Sequence, residues 1–123
     1  MAGKKLPLVS VTRVTLTSAT QNISLLSVEP GWLYCIQRAA FVNETTAASK
    51  CVVYATFSGK NLRLKTLTTT AVNCPDVDAD PFYLVENQVL GATMITAGVS
   101  DVVEIVLLGW KQRVGEMQIS AES

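Results

Sequence analysis

Histidine is missing from this chain. Without an imidazole to take a nucleophile's proton near neutral pH, Ser-His-Asp and Cys-His catalysis are not expected. Zinc and non-haem iron centres lose their commonest ligand, as do the His-rich metal sites of cupin-type β folds. Charge is scarce too. Only 16% of residues are charged, against about 25% in an average soluble domain. Ten basic residues balance ten acidic ones, so the basic excess that drives phosphate binding is lacking, and no nucleic-acid partner is expected. A net charge of zero also gives little colloidal repulsion.

Cysteine is limited to Cys35, Cys51 and Cys74. They are far apart and odd in number, and none stands in CxxC spacing, so neither a disulfide framework nor a zinc site is indicated. Cys35 and Cys51 fall in apolar runs and read as buried free thiols of a protein made in a reducing cytoplasm. Cys74, beside Pro75, reads as exposed. Glycines are scattered, and neither GxxxxGK[ST] nor GxGxxG occurs. No apolar run reaches the ~18 residues of a membrane helix. The stretch after Lys4-Lys5 is broken by Pro7, Ser10, Thr12 and Arg13, unlike a secretory signal. No membrane partner is expected.

What the chain has in abundance is β-branched residues: Val, Ile and Thr make up 34 of its 123 positions. Their stiff side chains suit a pleated surface. Turn signals recur at short intervals, and no window of helical length keeps an apolar i, i+3, i+4, i+7 pattern. Strands are predicted over Leu8–Thr17, Ile23–Val28, Trp32–Val42, Cys51–Phe57, Leu62–Thr68, Phe82–Val85, Val89–Thr96 and Val102–Trp110. Thr69–Pro81 reads as the longest irregular stretch, and Gly91 as a bulge. The near-continuous apolar run of the last strand predicts burial on both of its faces. These eight strands point to an all-β, two-sheet antiparallel β-sandwich, jelly-roll-like. An immunoglobulin-like sandwich fits the length as well, although its Cys…Trp…Cys spacing is absent. The 123 residues suit one domain, with short arms at residues 1–7 and 114–123.

Few residues offer chemistry. Asp76, Asp78 and Asp80 alternate as calcium ligands do, but Pro81 stands where an EF-hand needs glycine and Asn87 where it needs glutamate. A solvated acidic loop is the plainer reading, and an acidic docking contact a third. Trp32 and Trp110 are candidate binding residues, as sugar-stacking platforms, against a plainer role in edge packing. Glu104 and Glu86 are candidates for a carboxylate pair. Glu104 alternates with apolar neighbours, so it faces solvent, a basic partner or a subunit contact, and Glu86 reads as a turn residue. No cofactor and no enzymatic activity are expected.

Four segments carry a resemblance: Val28-Glu29-Pro30-Gly31-Trp32, Phe41-Val42-Asn43-Glu44-Thr45, Pro81-Phe82-Tyr83-Leu84, and the closing strand from Val102 to Gly109-Trp110. Together they make Val28–Arg113 similar to the small jelly-roll capsid decoration, or cement, proteins of tailed bacteriophages. The resemblance implies a virion structural protein, made in the host cytoplasm. It would bind the major capsid protein lattice on the outer surface of an assembled head, as a homodimer or homotrimer. Another virion component (head–tail adaptor, tail protein or receptor-binding tip) and a carbohydrate-binding module are the alternatives.

Overall fold

A computed structural model describes residues 4–57, 59–95 and 98–113. They form nine strands: β1 (Leu6–Thr15), β2 (Gln21–Ser27), β3 (Trp32–Asn43), β4 (Lys50–Phe57), β5 (Lys60–Thr68), β6 (Asp76–Asp78), β7 (Phe82–Leu84), β8 (Val89–Ile95) and β9 (Val102–Arg113). Every pairing is antiparallel. The chain runs as one long hairpin. β4 pairs with β5 at its tip, then β3 with β6 and β7, β2 with β8, and β1 with β9. Wrapping that double ribbon gives two sheets, ordered β1-β9-β3-β6 with β7 also on β3, and β2-β8-β4-β5. This is the jelly-roll order, and it sets aside the immunoglobulin alternative.

Period-two alternation decides which side chains meet. Ile36, Ala39 and Phe41 of β3 and Val103, Ile105 and Leu107 of β9 point inward from the first sheet. They meet Cys51, Val53 and Ala55 of β4, Leu67 of β5, and Leu90, Ala92 and Met94 of β8. Phe41, fully buried, is the largest of these side chains.

The structure departs from the sequence expectations in four places. β6 lies inside Thr69–Pro81, which carries no strand signal. The three residues of β6 are too few to show a period, and their pairing with Ala39–Phe41 comes from tertiary contact. β1 begins at Leu6, within the segment expected to be an arm; residues 1–3 and the arm at 114–123 lie outside the described residues. At Gly91 the ladder does shift, but the extra residue, Leu25, belongs to β2. Finally, β9 is buried on one face only: Val103, Ile105 and Leu107 are covered, while Val102, Glu104 and Val106 are half-buried and Leu108 is exposed.

A bulge that periodicity does not reveal sits at Gln37, where the β3–β9 register jumps between Ile36 and Arg38. It lets Trp32, Tyr34 and Ile36 share the inner face with Ala39 and Phe41. Gly109 lies opposite, and a Cβ built there would overlap the carbonyl oxygen of Cys35. Close backbone approach at a bulge is a recurring reason for strand glycine. Gly109→Ala is therefore expected to cost about 3 kcal/mol through forced displacement of β3, measured by urea denaturation. A loss below about 1 kcal/mol would mean that the two strands separate easily at this point.

Candidate interaction surface

The two outward faces of the sandwich differ in kind. On the β2-β8-β4-β5 sheet the outer positions are mostly polar and pair with one another. Thr93 donates to Asn22 at 2.6 Å and Thr56 to Asn61 at 2.9 Å. Tyr54 lies across Gly91, filling the space that glycine leaves. A shallow depression of about 250 Å³ on this face is lined by Asn22, Val52, Tyr54, Asn61, Arg63 and Thr93.

The β1-β9-β3-β6 sheet presents the opposite. Register places Val11, Val106, Ala40 and Val77 in one row across all four strands. Val9, Leu108 and Arg38 form the next row, and Arg13, Glu104 and Val42 the row on the other side. Val9 is 65% exposed, Val11 59%, Val77 54% and Leu108 40%. Scattered exposed valines need no explanation, but a contiguous apolar sheet face of several hundred Å² marks a contact surface.

Both ends of this face are defined. At one end Arg13 donates to both carboxylate oxygens of Glu44, at 2.9 and 3.0 Å. That bond, with the attraction between the two charges, holds the Glu44 carboxyl below its ordinary pKa and Arg13 above its own. At the other end Trp110 and Tyr83 flank Cys35 in register, and their rings meet edge to face at 6.2 Å. Lys5 stacks on Trp110 with Nζ 4.4 Å from the ring centre. Cys35 is thus buried beneath an aromatic cap on the outer face, and only Cys51 lies in the core cluster. Burial pushes the Cys51 thiol up to about 12. It raises Cys35 also, with Lys5 and Tyr83 opposing.

Trp32 and Trp110 do not share a site. Trp110 stands on the outer face, whereas Trp32 follows the inner parity of Tyr34, packs against the core, and receives Lys111 and Arg113 on its ring at 5.1 and 5.6 Å. Neither lines the polar depression. Sequence spacing gives no hint of this, because parity depends on the Gln37 bulge.

The three aspartates do not converge either. The Asp76 carboxylate accepts from the Thr68 N–H at 2.8 Å, and Asp78 accepts from Lys65 Nζ at 2.6 Å and from the Asp80 N–H at 2.8 Å. Asp80 adds its carbonyl to the same ammonium at 2.6 Å. Among the described residues no group of three or more acidic, Cys or His side chains is placed to hold a metal. These bonds instead join β6 to β5 and close one side of the sandwich. The hydrogen bond from Lys65 lowers the Asp78 pKa, assisted by the Asp80 N–H. Glu86, expected as a turn residue, accepts from the Gly31 N–H at 2.7 Å and ties two turns together. Gly31 (φ 83°) and Asn87 (φ 69°) supply the left-handed backbone there.

The opposite end of the sandwich is organised by a buried polar cluster. The Asn43 amide donates to Ser49 Oγ at 2.8 Å and to Asp101 Oδ2 at 3.0 Å, while its carbonyl accepts from the Thr45 and Thr46 N–H groups. Asp101, 3% exposed, also accepts from the Thr46 hydroxyl and the Gly98 N–H. Burial by itself would raise the Asp101 pKa. Together, the hydrogen bonds from Asn43, Gly98 and Thr46 outweigh it and hold the carboxyl below its ordinary value. Sequence reasoning misses this cluster, since Asn43 and Asp101 both look like ordinary turn residues.

The described surface thus defines a class: a jelly-roll sandwich with one polar face, one apolar face and acidic groups committed to structure. No protein-family model matches the chain, and no curated protein does. Solved structures do match. A protein of Bacillus endospore appendages, described as a novel family of disulfide-linked pili, is 11% identical over 90% of each chain with a TM-score of 0.50. Eiger, a TNF from S. frugiperda, is 8% identical over 84% of this chain and 92% of its own, with a TM-score of 0.38. At such identities the first likeness concerns the fold alone, and the second carries no further weight.

Two outcomes are expected. Asp101 has a lower pKa folded than unfolded, so its stabilisation is complete above the unfolded value, near 3.8, and is lost as pH falls through the folded one. Asp101→Asn should cost about 2 kcal/mol at pH 7, with the gap to wild type narrowing towards pH 3 in denaturant titrations. A gap independent of pH would separate Asp101 from the acid response. In native protein a thiol-specific chromogenic disulfide should modify Cys74 rapidly, and Cys35 and Cys51 only on unfolding. Fast modification of a second thiol would show that the aromatic cap over Cys35 opens.

Proposed function

We propose that the chain is a virion structural protein: a decoration protein that binds the outer surface of an assembled phage head and stabilises it. The carrying observation is the contrast between the two faces. A molecule with one hydrated face and one apolar face is made to be covered on one side, as in a permanent assembly. The absence of histidine, the low charge and the commitment of Asp76, Asp78 and Glu86 to internal hydrogen bonds agree with a part that acts by binding. So does the resemblance of Val28–Arg113 to decoration proteins. A protein that binds only the assembled lattice stabilises it by mass action.

A second reading, a subunit of a self-assembling fibre, is favoured by the fold shared with the endospore-appendage pilus protein. Co-sedimentation separates the two. Purified protein should pellet saturably with expanded heads and raise the temperature at which they open. Protein that stays in the supernatant at every concentration overturns the head-binding reading, and filaments in negative stain would establish the fibre in its place.

A further inference from the structure

We propose that the polar face of the β2-β8-β4-β5 sheet carries a binding site for an acidic saccharide, built around Tyr54 and Arg63. The site lies on the opposite side of the sandwich from the apolar face. It goes beyond the head-binding reading and stands or falls separately from it.

Charge gives the first reason. The ten basic and ten acidic residues of the chain are not evenly mixed. The four strands of this sheet contain Lys50, Lys60, Arg63 and Lys65, and neither aspartate nor glutamate. Among the described residues the acids lie on the other sheet or in the connections. Strand parity and the bulge at Leu64 sort the bases. Lys65 shares the inner parity of Val53 and is bonded to Asp78. Lys60 stands at the hairpin end, opposite Phe57. Lys50 and Arg63 face outward with Val52 and Tyr54. Arg63 is exposed and has no hydrogen bond or ion pair among the described residues. With no acid on the sheet to oppose it, the field at this face favours an anion.

The second reason is the sense of the hydrogen bonds. Thr93 donates to Oδ1 of Asn22, and Thr56 to Oδ1 of Asn61. Both amide carbonyls are engaged, and each amide keeps an NH2 group with two donors. The Arg63 guanidinium and the Tyr54 hydroxyl add to them, so the rim of the depression is rich in donors. No carboxylate stands among its lining residues to hold a cation. An acceptor-rich ligand fits such a rim. Sugar hydroxyl and ring oxygens accept from the amides, and a carboxylate takes the planar guanidinium fork in two parallel bonds.

The floor gives the third. Gly91, Tyr54 and Arg63 stand in one row across β8, β4 and β5, and Asn22, Thr93 and Val52 in the next. A Cβ on Gly91 would lie 3.0 Å from both Cζ and the hydroxyl oxygen of Tyr54, so the ring leans over the sheet instead of standing clear of it. Val52 and this ring make an apolar floor that suits the C–H face of a pyranose. Trp32 and Trp110 take no part. At about 250 Å³ the depression is smaller than the about 300–1,000 Å³ of drug-sized pockets, and it suits one or two sugar units. Lys50 and Arg63 are too few to drive binding to a phosphate backbone, which depends on many neutralised phosphates.

The test is a heteronuclear NMR titration of the full chain with methyl β-glucuronide. Methyl β-glucoside, which carries a hydroxymethyl group in place of the carboxylate, is titrated in parallel. The glucuronide should shift the amides around residues 52–54, 61–63 and 91–93 saturably, with a Kd of roughly 1 mM, as a shallow site implies. The glucoside should bind about 10-fold more weakly, for want of one charge-assisted pair. Arg63→Gln should lower glucuronide affinity to the glucoside level and leave the glucoside unchanged. Asn61→Asp, which replaces a donor with a like charge, should weaken the glucuronide more than the glucoside. Both side chains are exposed, so the unfolding transition should stay at its wild-type position. No saturable shift at tens of millimolar, shifts centred elsewhere, equal affinity for the two glycosides, or Arg63→Gln without effect would each overturn the proposal. Sodium acetate or inorganic phosphate binding as tightly as the glucuronide would replace it with a simple anion patch, and tighter binding of oligothymidylate with a nucleic-acid site. Protein that pellets with heads and ignores the glucuronide overturns this proposal alone. Protein that binds the glucuronide and ignores heads overturns the head-binding reading alone.

Discussion

The Asn43 side chain holds the jelly roll at the point where it would otherwise come apart. It ends β3, points inward, and satisfies four hydrogen-bonding groups from the β3–β4 connection and from Asp101. The backbone groups around it complete the closure. Leu16 and Ser100 bond Asp101 and Leu16 in turn, Glu44 bonds Val102, and Asn73 bonds the Asn43 carbonyl. The β3–β4 and β8–β9 connections are thereby tied through the Asn43 amide and the Asp101 carboxylate, and those after β1 and β5 through backbone bonds to the same two residues. No described buried side-chain polar atom lacks a partner, the condition under which an internal polar cluster specifies a structure rather than weakening it. With the connections fixed, β9 is held between β1 and β3, and the apolar face acquires a defined pattern.

Much of that pattern is legible in the amino-acid sequence. The Val and Thr content and the spacing of the turns are enough for a two-sheet sandwich, although a bulge at Leu64 breaks the alternation expected in Leu62–Thr68. The long runs Trp32–Val42 and Val102–Trp110 mark the central strands. The near-continuous apolar run of Val102–Trp110 suggests two-sided burial, but its outer face stays half-buried at Val102, Glu104 and Val106 and exposed at Leu108. What does not emerge from the sequence has a physical cause in each case. β6 is too short to have a period. The Gln37 bulge changes parity without changing composition, and this puts Trp32 and Trp110 on opposite faces. Asp76 and Asp78 resemble cation ligands because alternation is shared by calcium loops and by strands, and only the position of Lys65 and the Thr68 N–H on a neighbouring strand tells them apart.

The molecule's polar resources are thus spent on its ends and one side, and its apolar resources on its core and one face. Arg13 with Glu44, Lys65 with Asp78 and Glu86 with Gly31 each fasten one connection or edge to another. Few charges remain for the sheet surfaces. A chain with 16% charged residues can stay soluble on this plan as long as its polar sheet is hydrated through Asn, Thr and Tyr.

The broken strand at the margin of the apolar sheet has a bearing on where a further strand could join it. β6 and β7 are three-residue fragments, separated by a turn through Asp80 and Pro81, and they replace what would otherwise be one long margin. An interrupted margin is a poor template for another backbone. The opposite margin differs: β1, ten residues long and unbroken, forms it. A strand added to this sheet would therefore find its template at β1 and not at β6.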